Sequence, residues 1–158
     1  SIIEAGFQLL HVVCTKNLDQ GAQLVERFPG SYRQLDYVDR MDLAYAAADL
    51  AMCRSGAMTC AELSAVGLPA VYVPLPIGNG EQRLNADGIV RAGGGLFLPD
   101  DQLSADSVAN SVLPLLADPA ALGTMSQAAS GKGIRDAGAK LVEMVEHAVE
   151  LGEEAKTR

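Results

Sequence analysis

Short apolar runs alternate along the chain with stretches that carry helical signals. The apolar runs predict five strands, at residues 9–14, 34–38, 50–53, 70–73 and 96–98. Helical spacing, polar starts and Gly or Pro stops predict helices at residues 17–28, 41–48, 61–66, 81–92, 104–117, 119–129 and 136–150. Residues 1–6 are predicted to be the end of a further helix. Strands that alternate with helices predict an α/β fold, with an open parallel sheet flanked by helices.

Polar residues mark three predicted helix starts, and two of them are candidate caps. Asp39 precedes the second helix, and Ser104 precedes the helix that follows the fifth strand. Asp106 suits the first turn of that helix because a carboxylate is favourable at the positive end of the helix dipole. Asp118, which is followed by a proline, is predicted to restart a helix.

The stretch RSGAMTCAEL at residues 54–63 combines a tight turn of small residues with a helix start. It follows a predicted buried strand, and ligands of parallel α/β folds bind beyond the carboxyl ends of strands. The N–H groups and dipole of a helix start favour a phosphate, and Gly56 and Ala57 let a phosphate approach the backbone. Glu62, one turn after Thr59, is placed to accept hydrogen bonds from both hydroxyls of a ribose.

A second interpretation of the same stretch is structural. Thr59 and Glu62 have the spacing of a capping box, in which both side chains only satisfy backbone N–H groups. The loop further along the chain is rich in Gly and Pro, and Asn79, Gln82 and Asn85 lie in it or just after it. Amide side chains donate and accept at once, which suits sugar hydroxyls. The two stretches together favour a nucleotide-sugar site.

Composition and net charge limit the kinds of molecule that the chain is expected to bind. The 158 residues suffice for one domain with its own core, and the 49% hydrophobic content suits a buried parallel sheet. A net charge of −8 argues against binding to nucleic acid and against a polybasic membrane patch. No apolar run approaches the ~20 residues of a membrane span, and no signal peptide is evident.

Motifs of other catalytic classes are missing from the chain. The first strand is followed by Thr-Lys-Asn instead of a G-x-G-x-x-G turn, which argues against NAD or FAD. No Walker A motif and no Ser/His/Asp or Cys/His arrangement is visible, so a triphosphatase and a hydrolase are not expected. The cysteines lack metal-type spacing, and Cys14 and Cys53 are predicted to be buried, reduced thiols. His11 is predicted to be structural and His147 to lie on the surface.

Four stretches of the chain together resemble one family. They are YVDRM at residues 37–41, AADLAMCRSGAMT at 47–59, ELSAVGLPA at 62–70 and NGEQRLNA at 79–86. They are similar to the donor-binding half of the MurG family of peptidoglycan UDP-N-acetylglucosamine transferases, and the wording GNGEQRLNA resembles actinobacterial members. The resemblance covers nearly the whole chain, and the combination of stretches is specific where any one piece is not.

The resemblance implies a GT-B fold, in which two Rossmann-like domains enclose the active site, and makes this chain the C-terminal domain. The family transfers N-acetylglucosamine from UDP-N-acetylglucosamine to undecaprenyl-diphospho-muramoyl-pentapeptide, with inversion and without a metal or other cofactor. The resemblance also implies a peripheral membrane enzyme, which contacts the cytoplasmic face of the cell membrane through its acceptor domain.

The resemblance also assigns roles to residues of the donor site. Tyr37 and Val38 are expected along the uracil, with the Val38 backbone pairing to the base edge. Met41 is expected as an apolar contact near the base, and a core position is its alternative. Glu62 is expected to hold the ribose hydroxyls.

The diphosphate and the sugar are implied at two further places. The diphosphate is expected at Arg54, Ser55, Gly56, Ala57, Met58 and Thr59. An ion-paired or solvated surface position is the alternative for Arg54. Gln82 and Asn85 are expected to face the sugar hydroxyls or the phosphate. Glu81 stands where the family often carries a second glutamine, so its role is less defined.

Parts of the family pattern have no counterpart in the sequence. The first strand of the donor domain and its Gly-rich phosphate loop are missing, and a central position of the sheet is expected to lack its strand. The acceptor domain, where the general base is expected, is also missing. We therefore expect residues 1–151 to be a donor-binding domain that is incomplete at its N-terminus and inactive alone, followed by a frayed polar tail at 152–158.

Two other functions remain open at the level of sequence. The chain could be the UDP-sugar-binding subunit of a split glycosyltransferase, whose acceptor subunit is a separate polypeptide. It could instead be a non-catalytic α/β interaction domain. UDP binding that depends on the ribose hydroxyls and on Glu62 would exclude the interaction domain.

Overall fold

The computed structural model describes residues 1–156, which form five strands and seven α-helices. The strands are β1 (Leu9–Val12), β2 (Tyr32–Leu35), β3 (Ala51–Cys53), β4 (Ala70–Tyr72) and β5 (Gly95–Phe97). The helices are α1 (Ala22–Arg27), α2 (Met41–Ala47), α3 (Ala57–Val66), α4 (Glu81–Arg91), α5 (Ala105–Leu116), α6 (Pro119–Ser130) and α7 (Ala137–Lys156). Each predicted strand therefore has a counterpart.

All strand pairs are parallel, as predicted, but the strands form two hydrogen-bonded sheets. One sheet has the order β1-β2, and the other has the order β3-β4-β5. The prediction of one continuous five-stranded sheet is therefore wrong, although the number of strands and their parallel pairing are as predicted. Among the described residues, no backbone ladder joins β1 to β3, so the two sheets share no hydrogen-bonded edge.

The central strand β4 is buried on both faces and organises the core. Ala70 and Tyr72 face one apolar cluster, which includes Cys60 and Leu63 of α3 together with residues of α4 and α6. Val71 and Val73 face the opposite cluster, which includes Val112 of α5. Successive side chains of a strand point to opposite faces, so one continuous apolar run supplies both clusters. Helices thus cover both faces of the three-stranded sheet.

The second strand lies earlier in the chain than the sequence pattern predicts. It comprises Tyr32–Leu35 instead of residues 34–38, so Tyr37 and Val38 lie in the segment after it. Tyr32 is only 4% exposed, and its hydroxyl bonds His11 Nδ1 of the neighbouring strand at 2.7 Å. This packing anchors the start of β2 and leaves the apolar pair Tyr37-Val38 outside the sheet.

Two N-terminal predictions are also corrected. The predicted helix at 17–28 is a 3₁₀ segment, Thr15–Gly21, followed by the short α1. Residues 2–6 form turns instead of the end of a helix. The first strand ends at Val12, and Cys14 beyond it is exposed, so its predicted burial is wrong. The surface position of His147 is confirmed.

Local side-chain chemistry sets several helix ends. Ser104 forms a capping box with Ser107, and the Asp118 carboxylate accepts hydrogen bonds from two backbone N–H groups of α6. The predicted cap at Ser104 is confirmed, and so is the predicted start of a helix after Asp118. The prediction that Asp39 caps α2 is wrong. The N-cap residue is Arg40, and the side chain of Arg40 makes no capping hydrogen bond.

The end of α3 is a Schellman motif. Gly67 has a φ of 72°, and its N–H bonds the Ser64 carbonyl oxygen at 3.1 Å. The Leu68 N–H bonds the Leu63 carbonyl oxygen at 2.9 Å, and both leucines are buried. The glycine is required there because other residues rarely adopt this left-handed conformation. The motif turns the chain directly into β4.

The last helix continues further than predicted. The sequence pattern indicates a helix at 136–150, whereas α7 extends to Lys156 and includes part of the predicted polar tail. Residues 157 and 158 of that predicted tail lie outside the described residues. In the part of the chain that the structure describes, no helix has the length and apolar character needed to cross a membrane.

Candidate functional site

The loop between β3 and α3 lies at the carboxyl edge of the three-stranded sheet. Strand β3 ends at Cys53, three residues follow, and α3 begins at Ala57. Because β3 and β4 are parallel, the loop that follows β4 and leads into α4 leaves from the same edge. The predicted placement of residues 54–62 at this edge is confirmed.

The first turn of α3 carries no side-chain cap. Its N-cap is Gly56, and no side chain in the described part of the chain bonds the first backbone N–H groups of the helix. These N–H groups have no partner within a helix, and the helix dipole makes them a favourable place for an anion. A Cβ at Gly56 would meet only the Thr59 hydroxyl, at 3.8 Å, so the approach to this turn is open. Ala57 and Met58 are exposed beside it.

The capping-box interpretation of Thr59 and Glu62 is wrong. Thr59 lies inside α3, two residues beyond its start, so it does not hold the N-cap position. The carboxylate of Glu62 turns instead toward α2, where its Oε2 accepts a hydrogen bond from the Tyr45 hydroxyl at 2.8 Å. The Glu62 side chain is exposed, and it is therefore available to a ligand at this helix.

Tyr45 is a residue that sequence reasoning did not single out. Its ring packs against the apolar cluster beneath α3, while its hydroxyl reaches the Glu62 carboxylate at the surface. Burial, followed by the hydrogen bond and the charge of Glu62, raises the pKa of Tyr45 to about 12. The hydroxyl is therefore protonated at neutral pH and acts as the donor. No local signal marks this contact, because the two residues are 17 positions apart.

Ser55 is buried in the loop and is held by α4. It is 0% exposed, and its carbonyl oxygen accepts a hydrogen bond from the Asn85 amide nitrogen at 3.1 Å. Its hydroxyl has no hydrogen-bond partner among the described residues. A buried hydroxyl without a partner costs about 1–3 kcal/mol, so this position favours a further polar group next to the start of α3.

Helix α4 brings two amide side chains to the same edge. The Gln82 side-chain oxygen accepts a hydrogen bond from the Leu75 N–H at 3.0 Å, which leaves its NH₂ group for other acceptors. Asn85 uses its NH₂ group on Ser55, which leaves its oxygen for other donors. The Glu81 carboxylate accepts from the Asn79 N–H at 3.2 Å, so Glu81 stabilises the loop before α4.

Arg54 is held by two neighbours at this edge. Its guanidinium donates to the Val73 carbonyl oxygen at 3.2 Å and forms an ion pair with Asp100, which follows β5. Arg54 is therefore ion-paired, and its contact with a diphosphate stays a prediction. Its side chain remains 46% exposed, so one face of the guanidinium is open to solvent. Asp100 is 46 positions away in sequence, and no sequence signal marks it as a partner.

The residues expected near a base lie in a separate segment. Tyr37 and Val38 follow β2, and the Tyr37 side chain is 72% exposed. Met41 begins α2 and is 36% exposed, so its core alternative is wrong. In residues 1–156, no hydrogen bond or ion pair joins these three side chains to α3.

A cleft of about 430 Å³ lies at the same carboxyl edge, beyond β4 and β5. It is lined by the loop after β4, by Arg83 of α4 and by Asp100, the partner of Arg54. A second cleft of about 500 Å³ lies at the opposite end of β4, next to Pro69. Ligands of parallel sheets bind at the carboxyl edge, so the cleft of about 430 Å³ is the candidate ligand-binding cleft. No group of three metal-ligating side chains occurs in the described part of the chain.

Comparison with known proteins connects this geometry to a family. Residues 2–141 match the family model described as the glycosyltransferase family 28 C-terminal domain. A relative from Streptomyces avermitilis is 59% identical over 92% of this chain and 40% of its own length. One from Mycolicibacterium smegmatis is 53% identical over 98% of this chain and 39% of its own length. Both are named UDP-N-acetylglucosamine--N-acetylmuramyl-(pentapeptide) pyrophosphoryl-undecaprenol N-acetylglucosamine transferase.

Solved structures show the same fold. The crystal structure of Acinetobacter baumannii MurG superposes with a TM-score of 0.79 at 25% identity, over 89% of this chain and 43% of that chain. The glycosyltransferase VinC in complex with dTDP superposes with a TM-score of 0.66 at 16% identity, over 93% of this chain and 34% of that chain. The chain spans about two fifths of the length of the curated relatives it matches.

Proposed function

Since the chain belongs to the glycosyltransferase family 28 C-terminal domain family, we propose that it is the donor-binding part of an inverting N-acetylglucosamine transferase of peptidoglycan synthesis. The donor is UDP-N-acetylglucosamine, and the acceptor is undecaprenyl-diphospho-muramoyl-pentapeptide. The names of the relatives support this donor and this acceptor. The observation that carries the proposal is the uncapped start of α3, with an exposed carboxylate one turn further along the same helix.

The geometry supports an order of ligand groups along the edge. The diphosphate lies at the start of α3, where the first backbone N–H groups and the Ser55 hydroxyl have no hydrogen-bond partner among the residues that the structure describes. The ribose hydroxyls bind the Glu62 carboxylate, which accepts from both at once. Gln82 and Asn85 each present one free end of an amide to the sugar. The uracil lies along Tyr37 and Val38.

The chemical contribution of this domain is positioning and electrostatic stabilisation. When the glycosidic bond breaks, negative charge develops on the leaving UDP, and the helix dipole and N–H groups of α3 are already oriented toward it. Arg54 is a cation held beside the start of α3, although Asp100 offsets part of its charge. The reaction as proposed uses no metal and no cofactor. The general base belongs to the acceptor domain.

The domain is proposed to work with a second, acceptor-binding domain. Residues 1–151 form the donor-binding domain, whose strands divide into a two-stranded and a three-stranded sheet. Membrane contact at the cytoplasmic face is proposed through the acceptor domain. Purified residues 1–158 should therefore not transfer N-acetylglucosamine to the lipid-linked acceptor, and detectable transfer would refute this division of labour.

Ribose discrimination tests the donor site. We expect a full-length transferase carrying this domain to bind UDP more tightly than 2′-deoxy-UDP, and Glu62→Gln to lose most of that preference. A charge-assisted hydrogen bond is worth roughly 1.5–3 kcal/mol, and solvent exposure puts the expected loss near the lower end. Glu146→Gln, on the exposed side of α7, is the matched control and should bind as wild type does.

The outcomes separate the candidate functions. A Glu62→Gln variant that keeps the full preference for UDP would remove the ribose assignment. A wild-type chain that binds no UDP would favour a non-catalytic interaction domain. Transfer that requires a separately encoded acceptor subunit would identify the chain as part of a split glycosyltransferase.

A further inference from the structure

The hydrogen bond between Tyr45 and Glu62 connects the core to the surface of the candidate site. Tyr45 donates from α2 to the Oε2 atom of Glu62 on α3 at 2.8 Å. Its ring packs against the cluster that contains Cys60 and Leu63, which lie on the inward side of α3. The hydroxyl is thus a donor on a rigid ring whose position the core determines.

The bond restricts a side chain that would otherwise be mobile. An exposed glutamate samples many rotamers, and ordering such a side chain on binding has an entropic cost. A tyrosine has only two side-chain torsions, and here its ring is already packed. Tyr45 therefore holds the Glu62 carboxylate in place before any ligand arrives.

The bond leaves the carboxylate able to bind a diol. An ionised carboxylate offers about four lone-pair sites, and Tyr45 occupies one of them on Oε2. The Oε1 atom and the second lone pair of Oε2 remain for two hydroxyl donors. Because the Tyr45 hydroxyl stays protonated at neutral pH, it donates to the Glu62 carboxylate and adds no second negative charge beside it.

We propose that Tyr45 is a positioning residue for the ribose: it holds Glu62 so that its carboxylate accepts from both ribose hydroxyls. The inference rests on the proposed donor site, because it requires Glu62 to bind the ribose. It assigns a specificity role to a residue of α2 that does not itself touch the nucleotide.

The experiment measures discrimination between UDP and 2′-deoxy-UDP in a full-length transferase carrying this domain. Tyr45→Phe keeps the ring and removes only the donor, and it should weaken UDP binding about fivefold while changing 2′-deoxy-UDP binding less. The same substitution should have no effect on the preference in a Glu62→Gln background. Tyr32→Phe removes the hydroxyl that bonds His11, far from Glu62 in sequence and on the other sheet, and is the matched control.

Each outcome decides one question. If Tyr45→Phe lowers the affinity for UDP and for 2′-deoxy-UDP equally, the role of Tyr45 is structural only. If the variant binds UDP more tightly, Tyr45 competes with the ribose hydroxyls for the Glu62 carboxylate. Either result overturns the inference. Loss of preference in Glu62→Gln but not in Tyr45→Phe overturns the positioning role and leaves the donor site standing. A wild type without preference removes the ribose assignment itself. Tyr45→Met, also apolar and without a donor, provides a second measurement if the Phe variant is unstable.

Discussion

The side-chain NH₂ group of Asn85 donates a hydrogen bond to the carbonyl oxygen of Ser55 at 3.1 Å, and this bond ties α4 to the loop before α3. Arg54, the preceding residue, is tied to the Val73 carbonyl oxygen at 3.2 Å. The loop is thus held from two sides by groups that belong to other elements. A loop held in this way needs little reorganisation when an anion binds at the start of α3.

Replacing Asn85 with alanine should loosen this loop. The buried Ser55 carbonyl would lose its partner, so we expect the free energy of unfolding to fall by about 1 kcal/mol and UDP affinity to fall severalfold. Urea titration and calorimetric titration with UDP check the two effects. Asn110→Ala, at an exposed asparagine inside α5, is the control for the gain in helix propensity and should lower neither quantity. Unchanged UDP affinity in Asn85→Ala would contradict preorganisation of the loop.

Arg54 should strengthen the binding of the negatively charged diphosphate and not the binding of the uncharged uridine. Arg54→Gln removes a cation at the edge of the proposed diphosphate site, so we expect UDP affinity to fall roughly threefold to tenfold while uridine affinity stays constant. The effect on UDP should shrink at high salt because the guanidinium is 46% exposed and therefore screened. Arg91→Gln, which breaks an ion pair with Asp87 on α4, is the control. Equal losses for UDP and uridine would indicate a structural effect alone.

Two glycines near each other in sequence should respond in opposite directions to alanine. A Cβ at Gly94 would lie 2.6 Å from backbone atoms of Ala129 on α6, so Gly94→Ala should destabilise the fold by about 1–3 kcal/mol or more. Gly88 lies within α4 with open space around it, and Gly88→Ala should stabilise the fold by about 0.5–1 kcal/mol. Thermal unfolding of both variants is the measurement. A stable Gly94→Ala protein would refute the close approach of β5 and α6.

The thiols of Cys60, which is buried, and Cys53, which is only half-buried although the sequence predicts burial, should make the fold sensitive to alkaline pH. Burial raises the pKa of Cys53 to about 12 and that of Cys60 to about 11, from an ordinary value of 9.0. Above about pH 9 the unfolded chain therefore loses protons that the folded chain keeps. The free energy of unfolding should be constant with respect to these groups below that pH and should decrease as the pH rises from about 9 toward 11.

The alkaline effect can be assigned by substitution. Urea titrations at about pH 8 and about pH 10 should show a smaller decrease for Cys60→Ala than for wild type, even if the variant is less stable at both pH values. Cys14→Ala should keep the wild-type decrease because Cys14 is exposed. A Cys60→Ala variant with the full wild-type decrease would show that other groups cause it.

Local chemistry made much of this fold predictable. The parallel α/β class and the five strands follow from short-range patterns, because a buried strand needs a continuous apolar run. The helix predicted at 61–66 is also present, but α3 begins four residues earlier, at Ala57. The caps at Ser104 and Asp118 are contacts within three residues along the chain, so the sequence alone locates them. Asp39 has the same local signal and does not cap its helix, which shows that this signal is not sufficient.

The sequence alone thus determined which segments become strands and helices and which of them carry the candidate donor site. Only the tertiary structure decided which residues hold that site in shape. The bonds from Tyr45 to Glu62 and from Arg54 to Asp100 join residues 17 and 46 positions apart, and the strand β2 begins where Tyr32 packs against its neighbour. Such contacts depend on how separate elements pack, and the energy of packing is not encoded in the spacing of any one segment.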